Sequence, residues 1–165
     1  KRGYQINNNI SFSLDIDSFE QNILDAKQNN DISYLENAVN MYQGSFLDGI
    51  DADWIQVDKG YYNSVVTEAS ADIAESLLEQ GKSTEAIAVL EKSLEHDELD
   101  EQLISLYIKA LIQNKKYNQA MQYYQFINQK YLEILGFSLE SSGKKFETIL
   151  SEQGVSLYNR KNKRI

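Results

Sequence analysis

Gly81-Lys82-Ser83-Thr84-Glu85-Ala86-Ile87-Ala88-Val89-Leu90 and Lys115-Lys116-Tyr117-Asn118-Gln119-Ala120-Met121-Gln122-Tyr123-Tyr124 say the same thing twice. Laid over one another they put Ala86 on Ala120 and Leu90 on Tyr124, each pair 34 residues apart. That distance is the length of one helix–turn–helix unit in a helical repeat protein. A small residue at one fixed place lets two antiparallel helices approach closely. The bulky residue four positions later fills the groove between neighbouring pairs.

Working outward, the period is that of tetratricopeptide repeats, and the spacing predicts helices over about 83–96, 99–114 and 117–135, with Gly136 closing the last. Upstream, Asp53 followed by Gln56 reads as a cap that launches a long helix over about 54–80. Its apolar face runs through Trp54, Tyr61, Val65, Ala69, Ile73 and Leu77, and Gly81 ends it at the position where a left-handed backbone is required. Between Gln43 and Asp53 the chain is a loop rich in Gly and Asp.

Before that loop, Asp17 with Glu20 has the form of a capping box, starting a helix that reaches about Gln28 on a face of Phe19, Ile23 and Ala26 or Lys27. Asp31 starts another, with Leu35, Ala38, Val39 and Tyr42 on its buried side, so that the two make an αα-hairpin. At the far end a helix over about 142–153, carrying Phe146, Ile149 and Leu150, is expected to cap the stack. The expected fold is therefore all-α: a right-handed, tetratricopeptide-like stack of three helix pairs with a terminal helix. Ahead of it, residues 1–14 alternate apolar and polar side chains around Asn7-Asn8-Asn9 and are expected to form the remnant of a β-hairpin. Residues 15–153 make the helical domain, and 154–165 a flexible basic tail.

The chain has no Cys, which removes disulfide frameworks and thiolate metal sites and favours a reducing, intracellular setting. No apolar run reaches the roughly 20 residues of a membrane-spanning helix. The reading is a cytoplasmic protein with no membrane contact. The net charge of -9 hides an asymmetry: Lys1, Arg2, Arg160, Lys161, Lys163 and Arg164 lie at the ends, which leaves -15 on residues 3–158. A body this acidic repels phosphate backbones, so these residues lack the electrostatic basis for binding nucleic acid themselves.

Catalysis has little footing. His96 is the only histidine and sits near a predicted helix end, where it suits the helix dipole. No Gly-x-Ser-x-Gly turn, phosphate-binding Gly loop or His/Glu metal helix occurs. Asp48, Asp51, Asp53 and Asp58 miss the calcium-loop spacing, because counting from Asp48 puts Ile50 and Ala52 where oxygens are needed. No cofactor or metal is expected. Tyr107, Tyr117, Tyr123, Tyr124 and Tyr131 crowd the second repeat, mostly as core or edge residues with hydroxyls reaching water, while some could line a peptide groove. In repeats of this kind the first helix of each pair builds the concave face, which nominates Glu68, Glu75, Glu79, Gln102, Ser105, Lys109 and Gln113 for partner binding.

An αα-hairpin, the loop from Tyr42 through Gly44-Ser45-Phe46-Leu47-Asp48-Gly49 to Asp53-Trp54, a long helix, two repeats and the Leu135-Gly136 exit form a combination that resembles the bacterial transcriptional activator domain over about residues 15–152. The residues that carry the motif are Phe46, Leu47, Gly49, Trp54, Ala86, Ala120 and Gly136. That domain follows a winged-helix DNA-binding domain in activators of the Streptomyces antibiotic regulatory protein type and in some response regulators of two-component systems. The resemblance implies a non-enzymatic effector domain that mediates homodimerisation, contact with RNA polymerase or signal sensing. DNA would be bound only through an upstream winged helix, of which residues 1–14 would be the last hairpin. A stand-alone tetratricopeptide scaffold or adaptor is the alternative reading.

Overall fold

In a computed structural model of the chain, residues 14–139 are described, and they form six helices: α1 (Asp15–Asn29), α2 (Ile32–Met41), α3 (Asp53–Glu79), α4 (Ser83–Leu94), α5 (Glu101–Gln113) and α6 (Tyr117–Leu135). The fold is an all-α, tetratricopeptide-like stack. Residues 1–13 of the hairpin predicted over 1–14, the helix over 142–153 and the basic tail lie outside the described residues. The chain divides into two compact units between Gln43 and Gly44.

The first unit is the α1/α2 hairpin. Phe19 and Ala26 of α1 and Ala38, Val39 and Tyr42 of and just after α2 are buried, with the Phe19 and Tyr42 rings 6.5 Å apart. Ile23 and Leu35 are half-buried, and Lys27 is exposed. Asn30 sits in the left-handed region at φ 49°, which Asn tolerates better than most residues, and so turns the chain between the helices. Asp31 caps α2 as expected, its side chain accepting from the Ser33 backbone N–H at 2.9 Å. That bond holds its carboxyl below the ordinary value. The expected capping box at Asp17 does not form: α1 begins three residues earlier, with Leu14 as N-cap and no side-chain cap, so Asp15 and Asp17 fall in the first turn. There their charges favour the positive end of the helix dipole without capping it.

In the second unit α3 packs on α4 and α5, and α5 packs on α4 and α6. This is the neighbour pattern of two stacked helix–turn–helix units. The two turns between the paired helices are copies of each other at atomic detail. After α3, Gly81 N–H donates to Leu78 O and Lys82 N–H to Leu77 O; after α5, Lys115 N–H donates to Ile112 O and Lys116 N–H to Leu111 O. Both are Schellman turns, with the left-handed position held by Gly81 at φ 76° and by Lys115 at φ 59°. The next helix then starts identically: Ala86 N–H donates to Lys82 O at 3.1 Å and Ala120 N–H to Lys116 O at 3.0 Å. Ala86, Leu90 and Ala120 are fully buried in one core with Leu103, Ile104, Ile108, Leu111 and Ile127.

Three helix ends and one face differ from expectation. Helix α4 ends at Leu94 and α5 starts at Glu101, because His96 and Asp97 both turn back to Ser93 O and Asp100 caps α5 by accepting from Leu103 N–H at 2.8 Å. Helix α3 starts at Asp53 behind Ala52, so Asp53 is not its cap. The buried side of α3 runs through Ile55, Val66, Ala69, Ile73 and Leu78, whereas Trp54 and Tyr61, expected inside, are 70% and 57% exposed. The reason is length. At about 1.5 Å per residue α3 is roughly 40 Å long and α4 roughly 18 Å, and α4 returns from the Gly81 turn alongside the C-terminal half of α3 only. Past its reach, the period on the N-terminal half was free to follow either of two apolar stripes.

Candidate functional site

The loop before α3 explains much of the family motif. Leu47, at φ 49°, and Gly49, at φ 80°, make its tight turn, in which Ile50 N–H donates to Leu47 O at 3.1 Å. Phe46 packs against Tyr62 of α3 in a tilted pair with ring centroids 4.8 Å apart, and Tyr62 meets Tyr61 edge-on at 5.1 Å. Lys59 of α3 donates back to Ile50 O at 2.9 Å. Asp48 accepts from the Gly49 N–H at 2.9 Å. At the other end of the unit, Gly136 at φ 76° closes α6. Trp54, at the head of α3, stays largely in solvent. His96 is exposed in the turn after α4.

Of the seven residues nominated for the α3/α5 face, Glu68, Glu75, Glu79, Gln102 and Lys109 are exposed and Ser105 is half-buried. Gln113 has a structural task as well: its amide donates at 3.0 Å to Leu78 O, a carbonyl at the C-terminal end of α3, and so ties the two repeats together. Beside it, Asn114 donates to Thr84 Oγ1 at 2.9 Å.

On the opposite side of α5 lies a feature that the nomination by helix order missed. Tyr107 stands more than a third of a turn from the Gln102–Lys109 stripe at 100° per residue, and it faces an open cleft of about 230 Å3. Glu91 and Leu94 of α4, Glu95 at its C-cap, Glu98 of the following turn, and Tyr123, Phe126, Ile127 and Lys130 of α6 complete its lining. Tyr107 and Tyr123 meet edge to face at 4.7 Å, and the Tyr107 hydroxyl donates to Glu91 Oε1 at 2.8 Å. Lys130 pairs with Glu98, and its ammonium lies 5.7 Å from the centre of the Phe126 ring. Deeper in, the Tyr131 hydroxyl donates to Leu99 O.

The electrostatics of this side are those of an acidic, partly dry surface. Burial pushes Tyr123 up to about 12, with Tyr131 and Glu98 adding to it. Burial likewise pushes Tyr131 up to about 12, reinforced by Glu101, Asp100 and Asp97. Tyr107 is raised further by burial and by its bond to Glu91. Asp97 is raised by burial and then by Asp100. The tyrosines of the second repeat were legible as a group, but two of their hydroxyls end on protein oxygens where water was expected. Glu91 and Glu95, four apart across the end of α4, were the one available sequence signal for the acidic wall. Phe126, 60% exposed, gave none, because its helical position resembles that of a core residue.

A cleft of this size is smaller than the roughly 300–1,000 Å3 of small-molecule sites. Among the described residues no three His, Cys, Asp or Glu side chains gather in a way that suits a metal ion, and no helix is long and apolar enough to cross a membrane. Two stacked helix–turn–helix units with an aromatic cleft define a helical-repeat scaffold. The chain belongs to the bacterial transcriptional activator domain family, whose model matches residues 14–145. No curated protein and no solved structure gives a significant match.

Proposed function

We propose that this domain is the non-enzymatic effector part of a bacterial transcription regulator, working in the cytoplasm through protein contacts with RNA polymerase, with a second copy of itself, or with a component that delivers a signal. DNA is read by a winged helix upstream. Partner contact falls on the α3/α5 face, through Glu68, Glu75, Glu79, Gln102 and Lys109, with Ser105 and Gln113 at its edge. The observation that carries this reading is the family match over 14–145, because it attaches the repeat scaffold to transcription activation. The exposure of the five side chains and the strongly acidic body support it: the one leaves a face to bind with, the other disfavours direct contact with DNA.

The test is a pair of measurements on the 165-residue chain. A gel-shift titration with promoter DNA is expected to show no specific complex. Pull-down against purified RNA polymerase and light scattering of the chain alone are expected to give one positive result between them, which Glu75→Lys with Lys109→Glu weakens. Tight, specific DNA binding by this chain overturns the reading, as does a chain that is monomeric, ignores polymerase and answers no signal in a full-length reporter.

A further inference from the structure

The cleft between α4, α5 and α6 is on the other side of α5 from the face just discussed, and its chemistry is specific. Its floor is apolar and aromatic, formed by Leu94, Tyr107, Tyr123 and Ile127, with Phe126 exposed at one side. Its rim carries three carboxylates, Glu91, Glu95 and Glu98, against one cation, Lys130. Lys130 serves only one end: it pairs with Glu98 and lies over Phe126. At that end the cleft already holds a cation between a carboxylate and an aromatic face.

The other end has the same parts without the cation. Glu91 in the last turn of α4 and Glu95 at its C-cap stand four residues apart, about one turn, and line the same wall. Glu91 uses Oε1 to accept from Tyr107, which leaves Oε2 to a further donor. Glu95 is exposed and makes no hydrogen bond or ion pair among the described residues. The Tyr107 ring belongs to the floor beside them, its hydroxyl bonded to Glu91. A guanidinium fits this combination better than an ammonium: it is planar, it stacks on aromatic faces, and its fork of donors can address two carboxylates at once.

We infer that this cleft is a second docking surface, for a protein segment that places an arginine between Glu91 and Glu95 and an adjacent large apolar side chain over Tyr107, Tyr123 and Phe126. The charge complementarity of the two unopposed carboxylates on the rim selects the arginine, and the cleft of about 230 Å3 admits one apolar anchoring side chain beside it, where a small-molecule ligand would need more. This surface is independent of the α3/α5 face, and its occupant need not be the partner that binds there.

The probe is a synthetic, end-blocked helical peptide with arginine and leucine four residues apart, titrated calorimetrically into the 165-residue chain alongside the same peptide with citrulline in place of arginine. The arginine peptide is expected to bind roughly tenfold more tightly than its uncharged twin, the worth of one partly desolvated cation–aromatic and ion-pair contact. Glu95→Lys, at a side chain with no partner to lose, is expected to weaken the arginine peptide by about tenfold or more and leave the citrulline peptide unchanged. Its thermal midpoint should match the parent. Phe126→Ser weakens both peptides; Glu75→Lys, on the far side of α5, weakens neither. Equal binding of the two peptides, indifference to Glu95→Lys, or no binding at all overturns the inference. If Glu75→Lys rather than Glu95→Lys weakens the peptide, the cleft is refuted and the α3/α5 face gains support. Loss of polymerase contact or self-association with peptide binding intact refutes the earlier reading and not this one.

Discussion

Tyr131 shows how one side chain links the core to the acidic turn above it. Its ring is buried, it meets Phe137 at 6.2 Å, and its hydroxyl donates to Leu99 O in the segment between α4 and α5. Removing that hydroxyl in Tyr131→Phe leaves the Leu99 carbonyl short of a donor and is expected to cost about 1–2 kcal/mol in urea unfolding. The same group carries a pH signature. Its folded-state value is raised to about 12 by burial and by Glu101, Asp100 and Asp97, against an ordinary value of 10, and Tyr123 is raised to about 12 as well. The folded state therefore holds these protons longer than the unfolded chain does. Their contribution to stability is complete below pH 10 and is lost as pH climbs from 10 through 12. The urea midpoint should fall across that window, and less steeply in Tyr131→Phe. A midpoint that is flat in the parent between those values contradicts the assignment. Ser70 works in the opposite sense. It is fully buried on α3 and its hydroxyl has no hydrogen-bond partner among the described residues. Ser70→Ala removes an unsatisfied polar atom, so the variant is expected to be more stable by about 1 kcal/mol, readable as a higher urea midpoint at unchanged slope.

At the level of elements, the two repeat turns make a natural pair. Each needs one residue with positive φ, and the chain supplies Gly81 in the first and Lys115 in the second. Nothing lies within 4 Å of a Cβ built on Gly81, so Gly81→Ala meets no clash, and its cost is backbone strain alone, about 1 kcal/mol. Lys115→Gly should do the reverse and gain about 0.5–1 kcal/mol, because the native conformation already demands what glycine gives freely. Thermal unfolding of both variants checks the pair, and a loss of stability on Lys115→Gly contradicts the equivalence of the turns. These elements are also where the sequence could be read best. The bounds of α6 and the Gly81 and Gly136 stops followed from period and turn chemistry alone, since both are local. The side of α3 was not local. Trp54, Val57 and Tyr61 make one apolar stripe and Ile55, Tyr62 and Val66 another; the structure covers the second, with Phe46 docked on Tyr62. Caps at Asp17 and Asp53 failed for a related reason: a carboxylate in the first turn answers the helix dipole whether or not it bonds a backbone N–H, and the two cases share one sequence pattern.

For the molecule as a whole, the sequence carried the class of protein because a 34-residue period and a Gly/Phe/Trp loop are arranged along the chain. The cleft escaped because its parts, Glu91, Tyr107, Phe126 and Lys130, come from three helices and a repeat interface. The division of the chain at Gln43 and Gly44 has an energetic consequence. The α1/α2 hairpin buries only Phe19, Ala26, Ala38, Val39 and Tyr42, while the unit that follows has an extended core from Ala71 to Leu139. A two-helix piece of about 30 residues lies below the size at which a single apolar core holds a fold without disulfides or metal, and isolated helices of its length are marginal in water. A peptide of residues 14–43 is therefore expected to show weak, non-cooperative helicity by circular dichroism. A fragment of residues 44–165 is expected to unfold in one cooperative transition, and Leu90→Ala within it to lower stability by about 2–5 kcal/mol, because Leu90 is fully enclosed between the repeats. A cooperative melt from the 14–43 peptide, or a 44–165 fragment without one, shows that stability is shared differently between the two units than their cores indicate.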